Sequence, residues 1–123
     1  MLIPHLHFSG NCEEAIALYE KAFDTKVGDI ERMGDGSIGH ANMKIHGQTV
    51  FLNDNDTFAN KDNSLNFPVH LIVQFRTSKK LLACYEVLKG NATADYPFAK
   101  KPYSALVGNF TDKFGMLWGF MVA

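Results

Sequence analysis

This 123-residue chain has no long apolar run, no excess of one charge and no cysteine framework. Its longest apolar-rich stretch, Gly115 to Ala123, falls far short of the ~20 residues that cross a bilayer. Pro4, His5 and His7 interrupt the N-terminal segment and no basic region precedes it, so a secretory leader is not expected. Twelve basic residues against thirteen acidic ones leave a net charge of −1. No Lys/Arg cluster exists, so neither nucleic acid nor an anionic membrane is an expected partner.

Only two cysteines occur, Cys12 and Cys84, in no C-x-x-C pattern. Buried free thiols in a cytoplasmic protein are the expectation. Gly-rich phosphate motifs are missing too: Ser9-Gly10 and Gly34-Asp35-Gly36-Ser37 read as turns. Asn53-Asp54-Asn55-Asp56 lacks the glycine and the distal Glu of an EF-hand loop and reads as solvated. No Ser or Cys has the matched His and acid that nucleophilic hydrolysis requires.

What remains is an ordinary globular composition, 46% hydrophobic and 20% charged, of a size for one domain. Residues 2–8 alternate, with Leu2, Pro4, Leu6 and Phe8 opposite Ile3, His5 and His7, which predicts a strand. Asn11 then reads as a helix cap, with Glu14 at capping-box spacing. Cys12, Ala15, Ile16, Tyr19, Ala22 and Phe23 share one helical face, which should lie on a sheet. Three strands follow, at 25–33, 38–45 and 48–53, with the last two joined tightly at His46-Gly47. Asp54–Asn66 is the longest loop.

The plan then repeats. Val69, Leu71, Val73 and Phe75 alternate with His70, Ile72 and Gln74 in a strand. Ser78 should cap a helix that Gly90-Asn91 stops, before strands near 93–98, 104–110 and 116–122. An offset of 66 places Ala15 on Leu81, Ile16 on Leu82, Tyr19-Glu20 on Tyr85-Glu86 and Ala22 on Leu88. This points to an internal duplication of a βαβββ unit. One α+β domain over 1–123 is expected, with module one at 1–55, a loop at 56–66 and module two at 67–123. Trp118 should face the core beneath the second helix, and His46 should be exposed in its turn.

Three segments resemble the PhnB-like branch of the vicinal-oxygen-chelate superfamily, which includes glyoxalase I, bleomycin-resistance proteins and dioxygenases. They are Pro4 to Ala15, His40 to Gly47 and Thr111 to Trp118. The resemblance implies two tandem βαβββ modules curled into a cup, usually completed in a homodimer. It further implies, in metal-bearing members, one divalent ion held by two side chains from each module. His70 matches one of those positions. Gly119, four residues after Gly115, and Phe51, four after Gly47, match two others and carry no donor. The remaining position falls at Pro4, or at His5 with a longer turn.

The resemblance therefore points to a cup lined by His5, His7, Phe51, His70, Gln74 and Gly119. The expected function is binding of an unknown small molecule without a metal, or that of an enzyme of unknown reaction using the same cup, and no catalytic residue is assigned. One alternative is a metal-dependent lyase, isomerase or dioxygenase-type enzyme, its divalent ion on His70 with His5 or His7. Another is a dimer with a purely structural role. His40 opens the third strand, where a hydrogen bond to backbone is as good a reading as a ligand role.

Overall fold

The computed structural model describes residues 1–60, 69–90 and 95–123. The chain divides into two compact units, Met1–Lys61 and Asp62–Ala123. The first contains β1 (His5–Phe8), α1 (Cys12–Phe23), β2 (Val27–Arg32), β3 (Ile38–Ile45) and β4 (Gln48–Asp54). The second contains β5 (Leu71–Phe75), α2 (Ser78–Lys89), β6 (Tyr96–Lys101), β7 (Ser104–Thr111) and β8 (Leu117–Val122). Each is a four-stranded sheet, ordered β1-β4-β3-β2 in one and β5-β8-β7-β6 in the other. β1 runs parallel to β4 and β5 parallel to β8; the other pairings are antiparallel. The duplicated βαβββ plan is present in both units.

Alternation decides which sheet face is buried. In the first unit Leu6, Phe8, Val50 and Leu52 are buried with Ala15, Ile16, Tyr19 and Phe23 of α1. Val73, Phe75, Trp118, Phe120 and Val122 are the counterparts in the second, with Leu81, Cys84, Tyr85 and Leu88 of α2. Trp118 is in the core, as its parity predicts, and both cysteines are buried free thiols.

His46 and Gly47 both take positive φ, 50° and 80°, and Ile45 pairs with Gln48 across them. That is the primed two-residue turn whose twist matches a hairpin. His46 is exposed there, with its ring edge-on to Phe23.

Several expectations need correction. Asn11 does precede α1, but its side chain makes no cap bond; it accepts from the Ser9 amide instead. The helix start is held from the far end of β4, where Asp54 Oδ1 accepts from Cys12 N at 3.0 Å and Oδ2 from Ile38 N at 3.0 Å. A carboxylate at a helix N-terminus satisfies an orphan donor and complements the dipole. Thr77, not Ser78, caps α2, its hydroxyl accepting from Lys80 N at 3.2 Å. β1 begins at His5 and β5 at Leu71, so Val69, 72% exposed, and His70 precede the strand in which the alternation placed them. β3 spans Ile38–Ile45, as the predicted bounds have it, so His40 is its third residue rather than its first. Residues 61–66 of the long loop, the start of module two at 67, Asn91 and the expected strand start at Thr93 lie outside the described residues.

Candidate functional site

In each unit the sheet has one face under its helix and one face away from it. The chemistry-bearing side chains gather on the second, and the two units differ there.

In the first unit, His5 and His7 point away from the buried Leu6 and Phe8. Their ring centroids are 4.3 Å apart. His40, from β3, stands edge-on to His5 at 6.3 Å and to Phe51 at 4.7 Å. Phe51 pairs with His5 in register and its ring lies 5.9 Å from that imidazole. His7 Nδ1 hydrogen-bonds Asn53 Oδ1 at 2.7 Å, which places the proton on that nitrogen and leaves Nε2 as an acceptor in the neutral ring. Phe58 adds a ring 5.1 Å from His7. Three imidazoles and two phenyl rings thus share one surface.

His5 is held below its ordinary pKa of 6.5, first by partial desolvation and then by charge on His7 and His40. A histidine whose folded value is depressed is neutral above 6.5 in both states, and it costs stability as pH falls below that value. In a proton NMR titration His5 is therefore expected to protonate below 6.5, and His40→Ala to move it upward. A His5 titration at or above 6.5, unmoved by that substitution, contradicts this electrostatic picture.

In the second unit His70, Ile72 and Gln74 point away from the buried Val73 and Phe75. Ile72 pairs with Gly119 and Gln74 with Met121. Gln74 Nε2 approaches Met121 Sδ at 4.0 Å, a weak contact. Asn109 pairs with Gly119 from the other side.

The register aligns the units residue by residue. Phe51 and Gly119 are counterparts: each pairs with an outward residue of the first strand, His5 or Ile72, and each follows a positive-φ turn glycine by four positions. The counterpart of His5 is therefore Ile72, and that of His70 falls at Ile3. The cause is the turn into α1, Ser9-Gly10-Asn11, one residue longer than Arg76-Thr77 before α2. The longer turn shifts the first ligand position away from His5, to a residue with no donor. Phe51 and Gly119 also offer none, so the donor set does not fit a glyoxalase-type ion site. Among the described residues, no three His, Cys, Asp or Glu side chains are grouped to hold a metal.

Sequence reasoning singled out His5, His7, Phe51, His70, Gln74 and Gly119, and within each unit the structure brings its members to one face. It missed Asn53, Phe58, Ile72 and Asn109. Asn109 carried one local signal, an amide within a strand where such residues are uncommon. Its relation to Gly119 appears only in the register.

Comparison with known proteins agrees with this architecture. The family model described as the Glyoxalase/Bleomycin resistance protein/Dioxygenase superfamily matches residues 2–120. Protein YjdN of Escherichia coli is 23% identical, over 95% of this chain and 91% of its own. The PhnB protein of Bacillus cereus superposes with a TM-score of 0.84 at 24% identity, covering 99% of this chain and 98% of that one. A bleomycin-binding protein, solved in complex with bleomycin, gives a TM-score of 0.65 at 13% identity, covering 100% of this chain and 98% of its own. At these identities the superpositions establish the α+β fold of two βαβββ units. No helix among the described residues is long and apolar enough to cross a membrane.

Proposed function

Because the chain belongs to the glyoxalase/bleomycin resistance protein/dioxygenase superfamily, we propose that it binds an uncharged or aromatic small molecule without a metal ion. The binding surfaces are the open sheet faces, with His5, His7 and Phe51 in the first unit and His70, Gln74 and Gly119 in the second. One observation carries the reading: Phe51 and Gly119 stand at matching register positions and neither can coordinate a cation. The Phe51 ring, and the Ile72 side chain that lies over Gly119, suit an apolar, planar ligand, while the imidazoles supply a few orienting hydrogen bonds. The bleomycin-binding neighbour, of the same fold, supports use of this scaffold as a binding surface. A homodimer and a cytoplasmic location belong to the same proposal, supported by exposed Val69 and by two free cysteines.

Thermal unfolding in the presence of chelator tests the proposal. A neutral aromatic or heteroaromatic compound is expected to stabilise the chain by about 2.7 kcal/mol at a hundredfold excess over its Kd. Stabilisation by Ni, Zn, Mn or Fe ions added to a parallel sample without chelator, abolished in His70→Ala, is the opposing result.

A further inference from the structure

His70 and Asn109 come together above Gly119, and neither side chain has a hydrogen-bond partner among the described residues. Glycine is what permits this. A β-carbon added at Gly119 would lie 2.5 Å from Ile72 Cδ1, 2.7 Å from Asn109 Oδ1 and 3.2 Å from His70 Cδ2. The position that could hold an acidic ligand is therefore not merely vacated. The side chains of β5 and β7 close across it, and the Asn109 amide lies against the backbone.

Register extends the arrangement into a row. Ile72 pairs with Gly119, Gly119 with Asn109, and Asn109 with Tyr96 on β6. Paired residues in a sheet project to the same side. Ile72 is 54% and Tyr96 66% exposed, so both flanks of the Asn109 amide present apolar surface to solvent. In the first unit Phe51 fills the counterpart of Gly119, so this row belongs to the second unit alone.

The chemistry of the row is specific. A carboxamide offers donors and an acceptor from one planar group, and a neutral imidazole offers one of each. No side chain in the row carries a permanent charge. A ligand carboxylate brought there would lose hydration without gaining a fixed counter-charge, which is costly. A neutral planar group with a donor beside an acceptor would satisfy both side chains.

We propose that Asn109 and His70 form a subsite for the carboxamide or lactam group of a planar ligand, with Ile72 and Tyr96 against its ring. This rests on the small-molecule reading above and names its ligand class.

Nicotinamide and 2-pyridone are suitable probes, with nicotinate and indole as controls, all in chelator. NMR titration is expected to shift the Asn109 side-chain amide and the His70 ring on addition of either neutral probe. Nicotinate should bind about tenfold more weakly or worse. Asn109→Ala and Asn109→Asp should each weaken nicotinamide by about tenfold. The NMR shifts on the unsubstituted chain need no variant to fold. The subsite is overturned if nicotinate binds as well as nicotinamide. It is equally overturned if the shifts map away from Asn109 and His70, or if Asn109→Ala binds unchanged. Indole binding without nicotinamide binding sinks the subsite and leaves the small-molecule reading standing. Binding of none of these probes, or of any compound in the wider thermal screen, sinks both.

Discussion

Asp112→Ala is expected to lower the stability of the second unit by about 3–5 kcal/mol, since it strands several donors at once. Asp112 is 2% exposed. Its Oδ1 accepts from Phe114 N at 2.9 Å and Met116 N at 3.0 Å, and its Oδ2 from Trp118 Nε1 at 2.9 Å. It thereby folds the turn into β8 and anchors the largest core side chain in one move. A buried donor left without a partner costs its desolvation, on the order of 1–3 kcal/mol each. Asp112→Asn keeps an acceptor for the turn amides but must turn an NH2 toward the indole N–H or toward those amides, so an intermediate loss is expected. Urea unfolding followed by the fluorescence of Trp118, the only tryptophan, reads this directly. A loss below about 1 kcal/mol would mean that water replaces the carboxylate.

Phe120→Ala should cost a similar amount, about 3–5 kcal/mol, by a different cause. Phe120 is fully buried, with the rings of Phe75 and Phe110 each 4.9 Å away and Trp118 at 6.3 Å. Removing its ring leaves a cavity that a β-sheet, tied at both edges of β8, cannot collapse to fill. The adjacent residue gives the contrast. Gly119 lies on the other face, and Gly119→Ala displaces only side-chain ends, those of Ile72 and Asn109 and, by less, the His70 ring. Its cost is expected at the low end of overpacking, about 1 kcal/mol. Neighbouring positions on one strand thus separate stability from the proposed binding. Equal losses at positions 119 and 120 would contradict that division.

Most of the fold was legible because it rests on local period. The alternation around Leu6 and Phe8, and the helical face from Cys12 to Phe23, each declare themselves within a dozen residues. The duplication was readable for the same reason: α1 and α2 both span 12 residues and keep the offset of 66 throughout.

What escaped depends on partners distant in sequence. Asp54 reaches Cys12 across 42 positions, so a local capping rule chose Asn11 and Glu14 instead. Val69 fits the alternation of β5, yet the strand starts at Leu71 and leaves Val69 exposed. The candidate site was half legible. His5, His7 and Phe51 share a face by parity alone, whereas Asn109 joins His70 only because β7 and β5 both flank β8. One extra residue in the turn at Ser9-Gly10-Asn11 moved the counterpart of His70 from Pro4 or His5 to Ile3. A count along the chain does not see that without register.

The metal content of the chain purified without chelator tests the central claim most directly. A substoichiometric trace, unchanged in His70→Ala, is the predicted result. One Ni, Zn, Mn or Fe per chain, lost in His70→Ala, would contradict it.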